Sequence, residues 1–211
     1  MNTIWKSLGL LTAFLGAATT LTAQPLITFD DRPAGTNDSI DIPNGYGGLN
    51  WDNFSTYDDL SASHSAPNGY LAGMISPHNV ALNTFGTPAS ISSATGFDLG
   101  SGYFTAAWFD DLHLQIQGYQ GAVLAYDHTY ILSAVSPSLI ILNYADVTSV
   151  TFNSFGGTLH PGYDHGMGTQ FALDDLQIGL VPEPAAGALG ALGLILSFFR
   201  RLTPRETKSA R

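Results

Sequence analysis

Cysteine is absent from the chain, and between residues 24 and 180 glutamate and lysine are absent as well. The lack of cysteine excludes thiol catalysis, iron–sulfur clusters and cysteine-ligated zinc. The lack of glutamate disfavours helices, because glutamate is a good helix former. Aspartate, which is abundant here, suits turns and cation sites built from oxygen ligands.

The charge of this central region is strongly one-sided. Residues 24–180 contain fifteen aspartates and a single basic residue, Arg32, which gives a net charge near −14. Such a surface repels nucleic acid phosphates and anionic lipid headgroups, so no nucleic acid partner is expected. Two interpretations of the carboxylates stay open, a solvated acidic surface and a set of bound Ca²⁺ ions.

The N-terminal segment, residues 1–23, has the pattern of a signal peptide. Lys6 supplies the positive charge, Leu8 to Ala18 is mostly apolar, and small residues follow up to Ala23. We therefore expect export through the Sec translocon and a mature domain that starts near residue 24.

The C-terminal segment, residues 181–211, has three parts. A proline-rich motif is followed by an uncharged stretch, 185–199, and by a basic tail, 200–211. An apolar stretch before a basic tail predicts a membrane helix with the tail in the cytoplasm. The residues that define this pattern are Val181, Pro182, Glu183, Pro184, Arg200 and Arg201.

This tripartite pattern resembles the PEP-CTERM sorting signal. The resemblance implies that an exosortase processes the chain at the inner membrane of a Gram-negative bacterium that makes exopolysaccharide. The final location would be the cell surface or the biofilm matrix. Ser or Thr often follows the second proline in that class, whereas Ala185 and Ala186 stand here. A plain single-pass anchor is the alternative.

The region between the two ends is predicted to form an all-β domain. Short runs of alternating apolar and polar residues, separated by Gly, Pro and Asn, predict a series of short strands and no convincing helix. This spacing favours a two-sheet antiparallel β-sandwich. The predicted strands are 26–29, 48–54, 80–85, 89–99, 103–108, 112–119, 122–132, 139–142, 147–155 and 170–178.

The strand pattern resembles the jelly-roll modules of carbohydrate-binding and lectin-like proteins. In those folds the last strand often ends in aromatic-x-x-Asp-Asp, and one of these aspartates helps hold a structural Ca²⁺ with acidic residues near the first strand. The resemblance implies such a site from Asp30 or Asp31 and Asp174 or Asp175. Residues 45–51 also resemble a segment of exported domains of unknown activity.

Aromatic residues are the other lead to function, because aromatic faces can stack on sugar rings. Tyr46, Tyr70 and Tyr163 lie in glycine-rich stretches, so we expect them to be exposed and to contact carbohydrate. Trp51 and Trp108 lie in strand patterns and are expected in the core. The sequence has no serine hydrolase elbow or phosphate-binding loop, and we expect no enzyme activity.

Three functions remain open. The first is a surface or matrix protein that associates with exopolysaccharide through a Ca²⁺-supported sandwich. The second is a structural extracellular protein with no ligand beyond cations. The third is a secreted polysaccharide hydrolase, since paired carboxylates serve glycoside hydrolysis.

Overall fold

A computed structural model describes residues 25–33, 39–58, 67–163 and 166–180. Within these ranges ten strands pair in antiparallel fashion, in the order β2-β4-β5-β10-β6-β9-β7-β8, with β1 on β10 and β3 on β6. One short α-helix, α1, precedes β5, and two 3₁₀ turns lie at Tyr46–Gly48 and Thr84–Gly86. The elements are β1 Leu26–Ile27, β2 Ile40–Asp41, β3 Asn50–Asp52, β4 Phe54–Tyr57, α1 Gly69–Gly73, β5 Val80–Asn83, β6 Ala89–Ala106, β7 Phe109–Gln120, β8 Val123–Leu132, β9 Ser138–Leu159 and β10 Phe171–Leu180.

Strands β6 and β9 are long and each takes part in two sheets. Segment 89–92 of β6 pairs with segment 149–152 of β9. On the outer sides, β3 pairs with this part of β6, β7 pairs with β9, and β8 pairs with β7; we call these five strands the front sheet. Segments 97–104 of β6 and 138–147 of β9 pair with each other and, through β6, with β10, which leads to β5, β4 and β2. We call this side the back sheet. The pairing register shifts between the two segments, as bulges that re-aim a strand require.

The core lies between the two sheets and is rich in phenylalanine. Phe152 of the front sheet meets Phe54 of the back sheet edge to face, with ring centroids 5.4 Å apart. Phe104 and Phe171 of the back sheet lie 6.2 Å from the same ring. All four side chains are buried, which confirms the predicted β-sandwich.

The hairpin β7–β8 follows the sequence prediction closely. Leu112, Leu114 and Ile116 are fully buried, and the chain turns at Gly121, which adopts a left-handed φ of +61°. Alternation with a period of two fixes which face of a strand meets the core. Gln115 and Gln117 therefore lie on the opposite face.

Three local predictions are wrong. A helix does form at α1, where the Asn68 side chain accepts a hydrogen bond from the Leu71 N–H and caps the first turn. The predicted strand 48–54 is broken at Asn53, whose φ is +56°. The predicted strand 80–85 ends at Asn83, and a tight 3₁₀ turn, Thr84–Gly86, follows.

The described residues contain no helix that is long and apolar enough to cross a bilayer. The predicted signal peptide, the sorting motif and the membrane helix at 185–199 lie outside these residues.

Candidate functional site

Asp174 lies in β10 and is fully buried. Its carboxylate accepts hydrogen bonds from the backbone N–H groups of Ile75 and Ser76, both at 2.8 Å, and from the Ser76 hydroxyl at 2.9 Å. The N–H of Asp175 donates to the same group at 2.7 Å. Burial raises the pKa of Asp174 to about 6 although these donors favour the charged form. Since N–H and O–H donors already surround its oxygens, Asp174 holds the connection from α1 to β5 against β10.

Asp30 and Asp175 lie close to that connection and to each other. Asp30 Oδ1 accepts hydrogen bonds from the N–H groups of His78 at 2.9 Å and Asn79 at 3.1 Å. Burial and the neighbouring charge of Asp30 raise the pKa of Asp175. Desolvation alone would raise the pKa of Asp30, but hydrogen bonds from the His78 and Asn79 N–H groups, together with those from the Ser76 and Thr28 side chains, outweigh it, so the pKa is lowered. The structure thus brings together one acidic residue from each pair named by the sequence.

Two buried oxygens in this region have no hydrogen-bond partner among the described residues. One is Asp175 Oδ1, on a residue with a φ of +49°. The other is Oδ1 of Asn79, whose side-chain nitrogen donates to the backbone oxygens of Phe29 and Arg32, both at 3.0 Å. Unpaired buried acceptors are costly, and hard cations prefer such oxygen ligands. Within the described ranges no three carboxylates or imidazoles converge, so a cation here would need the amide oxygen.

Asp31 is turned away from this region. It is exposed, and its carboxylate accepts a hydrogen bond of 2.7 Å from the Tyr46 hydroxyl. The Tyr46 ring packs against Phe29 and Trp51, and the Arg32 guanidinium carbon lies 5.5 Å from its centroid. Burial, followed by the bond to Asp31, raises the pKa of Tyr46. Asp31 and half-buried Tyr46 thus belong to a contact that closes one end of the core.

The expected exposure of Tyr70 and Tyr163 is wrong. Tyr70 is 6% exposed because its ring packs between Tyr57 and Trp108, at centroid distances of 5.2 Å and 5.5 Å. Tyr163 is 5% exposed, and its hydroxyl donates to the Ala134 backbone oxygen at 3.0 Å. Trp51 is buried as expected, and Trp108 is half-buried. Neither tyrosine offers a ring face to a sugar.

Phe85, by contrast, lies at the surface, where its side chain is 85% exposed. It occupies the tight turn after β5, and its φ of +57° lies in the left-handed region that bulky residues rarely adopt. Leaving a phenylalanine in water forgoes about 1.5–3 kcal/mol of burial, and a strained backbone adds ~1–3 kcal/mol. A residue kept at such a cost points to a role outside folding.

Hydrogen bonds hold this turn, residues 84–87, in place from both sides; we call it the Phe85 turn. Asn53 Nδ2 donates to the Thr87 hydroxyl at 2.7 Å and to the Pro88 backbone oxygen at 3.0 Å, and the backbone oxygen of Asn53 accepts from the Thr84 N–H. From the other side the Thr169 hydroxyl donates to the Gly86 oxygen at 3.0 Å. The exposed ring is therefore carried by a rigid backbone.

Phe85 separates two surface depressions. The larger, about 570 Å³, we call the Phe85 cleft, and the smaller, about 310 Å³, lies toward Tyr57 and Gln170. Two side chains of the cleft are held by hydrogen bonds: the Asp41 carboxylate accepts from the buried Ser55 hydroxyl at 2.9 Å, and the Asn44 side chain accepts from the Trp51 N–H at 2.8 Å. The polar residues of the cleft are Asp41, Asn44, Asp52, Asn53 and Thr84.

Sequence reasoning missed Phe85 because an apolar residue at a strand end is read as core. The signal that could have found it is the local sequence Thr84-Phe85-Gly86-Thr87-Pro88, in which Gly and Pro mark a turn.

No protein-family model matches the chain, and neither does any curated protein. Solved structures with a similar fold exist at low identity. The K2 cleaved adhesin domain of Lys-gingipain shares 11% identity with a TM-score of 0.46, over 75% of this chain and 100% of that chain. The CBM22-1 xylan-binding domain of Paenibacillus barcinonensis Xyn10C shares 13% with a TM-score of 0.38, over 78% of this chain and 99% of that one.

A third similar structure, TmCBM61 in complex with β-1,4-galactotriose, shares 7% identity with a TM-score of 0.36, over 64% of this chain and 93% of that one. Likeness at these levels concerns the sandwich architecture alone.

Proposed function

We propose that this chain is an exported, non-catalytic protein whose sandwich domain binds a neutral polysaccharide outside the cell. The observation that carries the proposal is the rigid, exposed ring of Phe85 beside the Phe85 cleft. Aromatic rings bind the apolar C–H faces of sugars. Fixed carboxylates accept hydrogen bonds from sugar hydroxyls, and fixed side-chain amides both donate and accept them. The cleft supplies both kinds of group side by side.

Charge narrows the class of ligand. Asp41 and Asp52 border the cleft, and the domain as a whole carries a net charge near −14. Carboxylates at this position accept hydrogen bonds from neutral hydroxyls, whereas they repel uronate or sulfate groups. We therefore assign the ligand to neutral rather than acidic polysaccharides.

A structural Ca²⁺ fits the region between Asp30 and Asp175. These two carboxylates and the Asn79 amide oxygen would supply oxygen ligands, and the two unpaired buried oxygens would gain a partner. The ion would tie the segment after β1 to the last strand. The assignment excludes Asp174, which is saturated by hydrogen bonds, and Asp31, which bonds to Tyr46.

The proposed location of the protein rests on the sequence patterns of residues 1–23 and 181–211. We propose Sec-dependent export, an inner-membrane intermediate and processing by an exosortase at the motif Val181–Pro184, followed by release to the cell surface or matrix of a Gram-negative bacterium. Mass spectrometry of the protein from the outer fraction tests this step. Loss of the tail that contains Arg200 and Arg201 is expected, and an intact tail at steady state would indicate a permanent membrane anchor.

Binding is tested directly with the purified full chain on a panel of soluble polysaccharides, by affinity electrophoresis. The panel includes neutral xylan, galactan and β-glucan and acidic alginate and pectin. Retardation by at least one neutral polymer and by neither acidic polymer is expected. Binding to no polymer would favour the purely structural alternative, and release of reducing ends would favour the hydrolase.

A further inference from the structure

A row of polar side chains crosses the outer face of the front sheet and ends at the Phe85 cleft. Strand pairing places them next to one another, one from each of five adjacent strands. In order from the outer edge they are Asp127, Gln117, Thr151, Ser90 and Asp52; we call them the polar row. Asp52 belongs both to this row and to the wall of the cleft.

On β3, β6 and β9 these side chains point to solvent because their neighbours along the strand point to the core. Trp51, Ile91 and Val150 alternate with the row on β3, β6 and β9, and all three are buried. The row members themselves are exposed or half-buried. Four strand spacings of about 4.8 Å give the row a length of roughly 19 Å.

The outer end of the row is held in place by side-chain hydrogen bonds. The amides of Gln115 and Gln117 donate to the two carboxylate oxygens of Asp127, at 2.9 Å and 3.0 Å. The Tyr119 hydroxyl donates to Gln117 Oε1 at 3.0 Å. These bonds to Gln117 and Gln115 lower the pKa of Asp127, so the carboxylate is charged at neutral pH. A fixed network of this kind loses little side-chain entropy when a ligand binds.

The next rows extend the same surface. Gln115 pairs with Asn153, and His113 pairs with Phe155, whose rings stack at 5.3 Å with an angle of 11°. Amides, hydroxyls and one flat ring pair thus face solvent together, and carboxylates stand at both ends of the polar row. This chemistry matches a neutral chain that carries many hydroxyl groups, and it opposes an anionic one.

We propose that the polar row continues the Phe85 cleft as an extended binding track, so that the protein holds several consecutive sugar residues of one neutral polysaccharide chain. The inference rests on the proposed function and specifies its ligand as an oligosaccharide that spans both parts. Phe85 stacks on one sugar, while Asp52, Gln117 and Asp127 bond the hydroxyls of the sugars beyond it.

The test is a length series of neutral oligosaccharides, from disaccharide to octasaccharide, of xylan, galactan and β-glucan, measured by calorimetry on the purified full chain. Affinity is expected to rise with length until the track is filled. The double variant Gln115→Ala, Gln117→Ala is expected to lose about tenfold in affinity for the longest oligomer and to bind the shortest unchanged. Phe85→Ala is expected to weaken both.

The matched control is Gln177→Ala, an amide on β10 of the back sheet that bonds to Ser101. It is expected to bind every oligomer like the unaltered protein, and equal melting temperatures of the variants show that they are folded. Affinity that is independent of length and unaffected by the glutamine variants would overturn the track while leaving the Phe85 cleft in place. Binding of no oligomer by the unaltered protein would instead contradict the proposed function and the track together.

Discussion

The hydroxyl and the backbone N–H of Ser76 both donate to the carboxylate of Asp174, 98 residues further along the chain. This contact fixes the segment between α1 and β5 on the last strand. The same segment supplies the N–H groups that bind Asp30 and the amide of Asn79. Asp174 therefore organises the region where we place the cation, although we do not assign it as a ligand.

Replacement of Asp174 should destabilise the fold. Asp174→Asn places a side-chain N–H₂ group among the four N–H and O–H donors that surround the carboxylate. Because hydrogen bonds to a charged acceptor are lost, we expect the free energy of unfolding to decrease by about 2–3 kcal/mol. Urea denaturation at neutral pH measures it. The control is Asp111→Asn, an exposed aspartate on β7, which should change the value by less than about 0.5 kcal/mol.

The pKa of Asp174 also predicts how the difference between the two proteins depends on pH. Its folded value of about 6 lies above the ordinary value near 3.9, so the folded state binds this proton more tightly than the unfolded state. The resulting stabilisation is complete below pH ~4 and is lost as the pH rises through ~6. The gap in stability between the unaltered protein and Asp174→Asn should thus widen from pH 7 to pH 4. A gap that stays constant would show that the carboxyl group is not perturbed.

The proposed Ca²⁺ site predicts a cation-dependent melting temperature. Calcium should raise it and a chelator should lower it, because an ion that binds only the folded state adds about 2.7 kcal/mol at a hundredfold excess over its Kd. Asp175→Asn removes the charge beside Asp30 and should abolish most of the response, whereas Asp111→Asn should keep it. The site would be contradicted by a melting temperature that is the same in calcium and in chelator.

Gly69, at the start of α1, should tolerate no side chain. Its N–H donates to the Ala107 oxygen at 2.8 Å, and an added Cβ would collide with the backbone oxygen of Ala106. Gly69→Ala is expected to reduce the free energy of unfolding by about 3 kcal/mol, since the backbone has to move. Gly121→Ala, in the open β7–β8 turn with a φ of +61°, should cost only about 1 kcal/mol. Equal effects in thermal melts would show that α1 is not packed tightly against β6.

The sequence predicts the hairpin β7–β8 well and the long strands poorly, for a physical reason. Asn143 and Asp146 look like turn residues, and both adopt a φ of +52°, yet they bend β9 within a single strand. Gly100 and Gly102 in β6 likewise separate two predicted strands that are one. A β-bulge that bends one strand from the first sheet into the second contains the same residue types as a turn between two strands. Local composition therefore cannot distinguish a bulge from a turn.

The candidate cation site is predicted only in part for a similar reason. Adjacent aspartates at both ends of the domain indicate the region, but local sequence does not tell which member of each pair faces the other. The left-handed backbone of Asp175 and the hydrogen bond from the Tyr46 hydroxyl to Asp31 determine that Asp175 and Asp30 are the members that face each other. Asn79 reaches the candidate cation site only through tertiary contacts, which its local sequence does not indicate. The polar row likewise depends on strand pairing between residues more than sixty positions apart, so it cannot be read from the sequence.

The most direct measurement for the central claim is the affinity of Phe85→Ala for the neutral polysaccharide that retards the unaltered protein. Loss of a stacked ring should weaken binding at least tenfold while leaving the melting temperature unchanged or slightly higher, because the exposed ring adds no burial. Ile141→Ala, which removes another exposed apolar side chain, 63% accessible on the back sheet, should bind normally. Unchanged affinity in Phe85→Ala would contradict the assignment of the Phe85 cleft as the binding site.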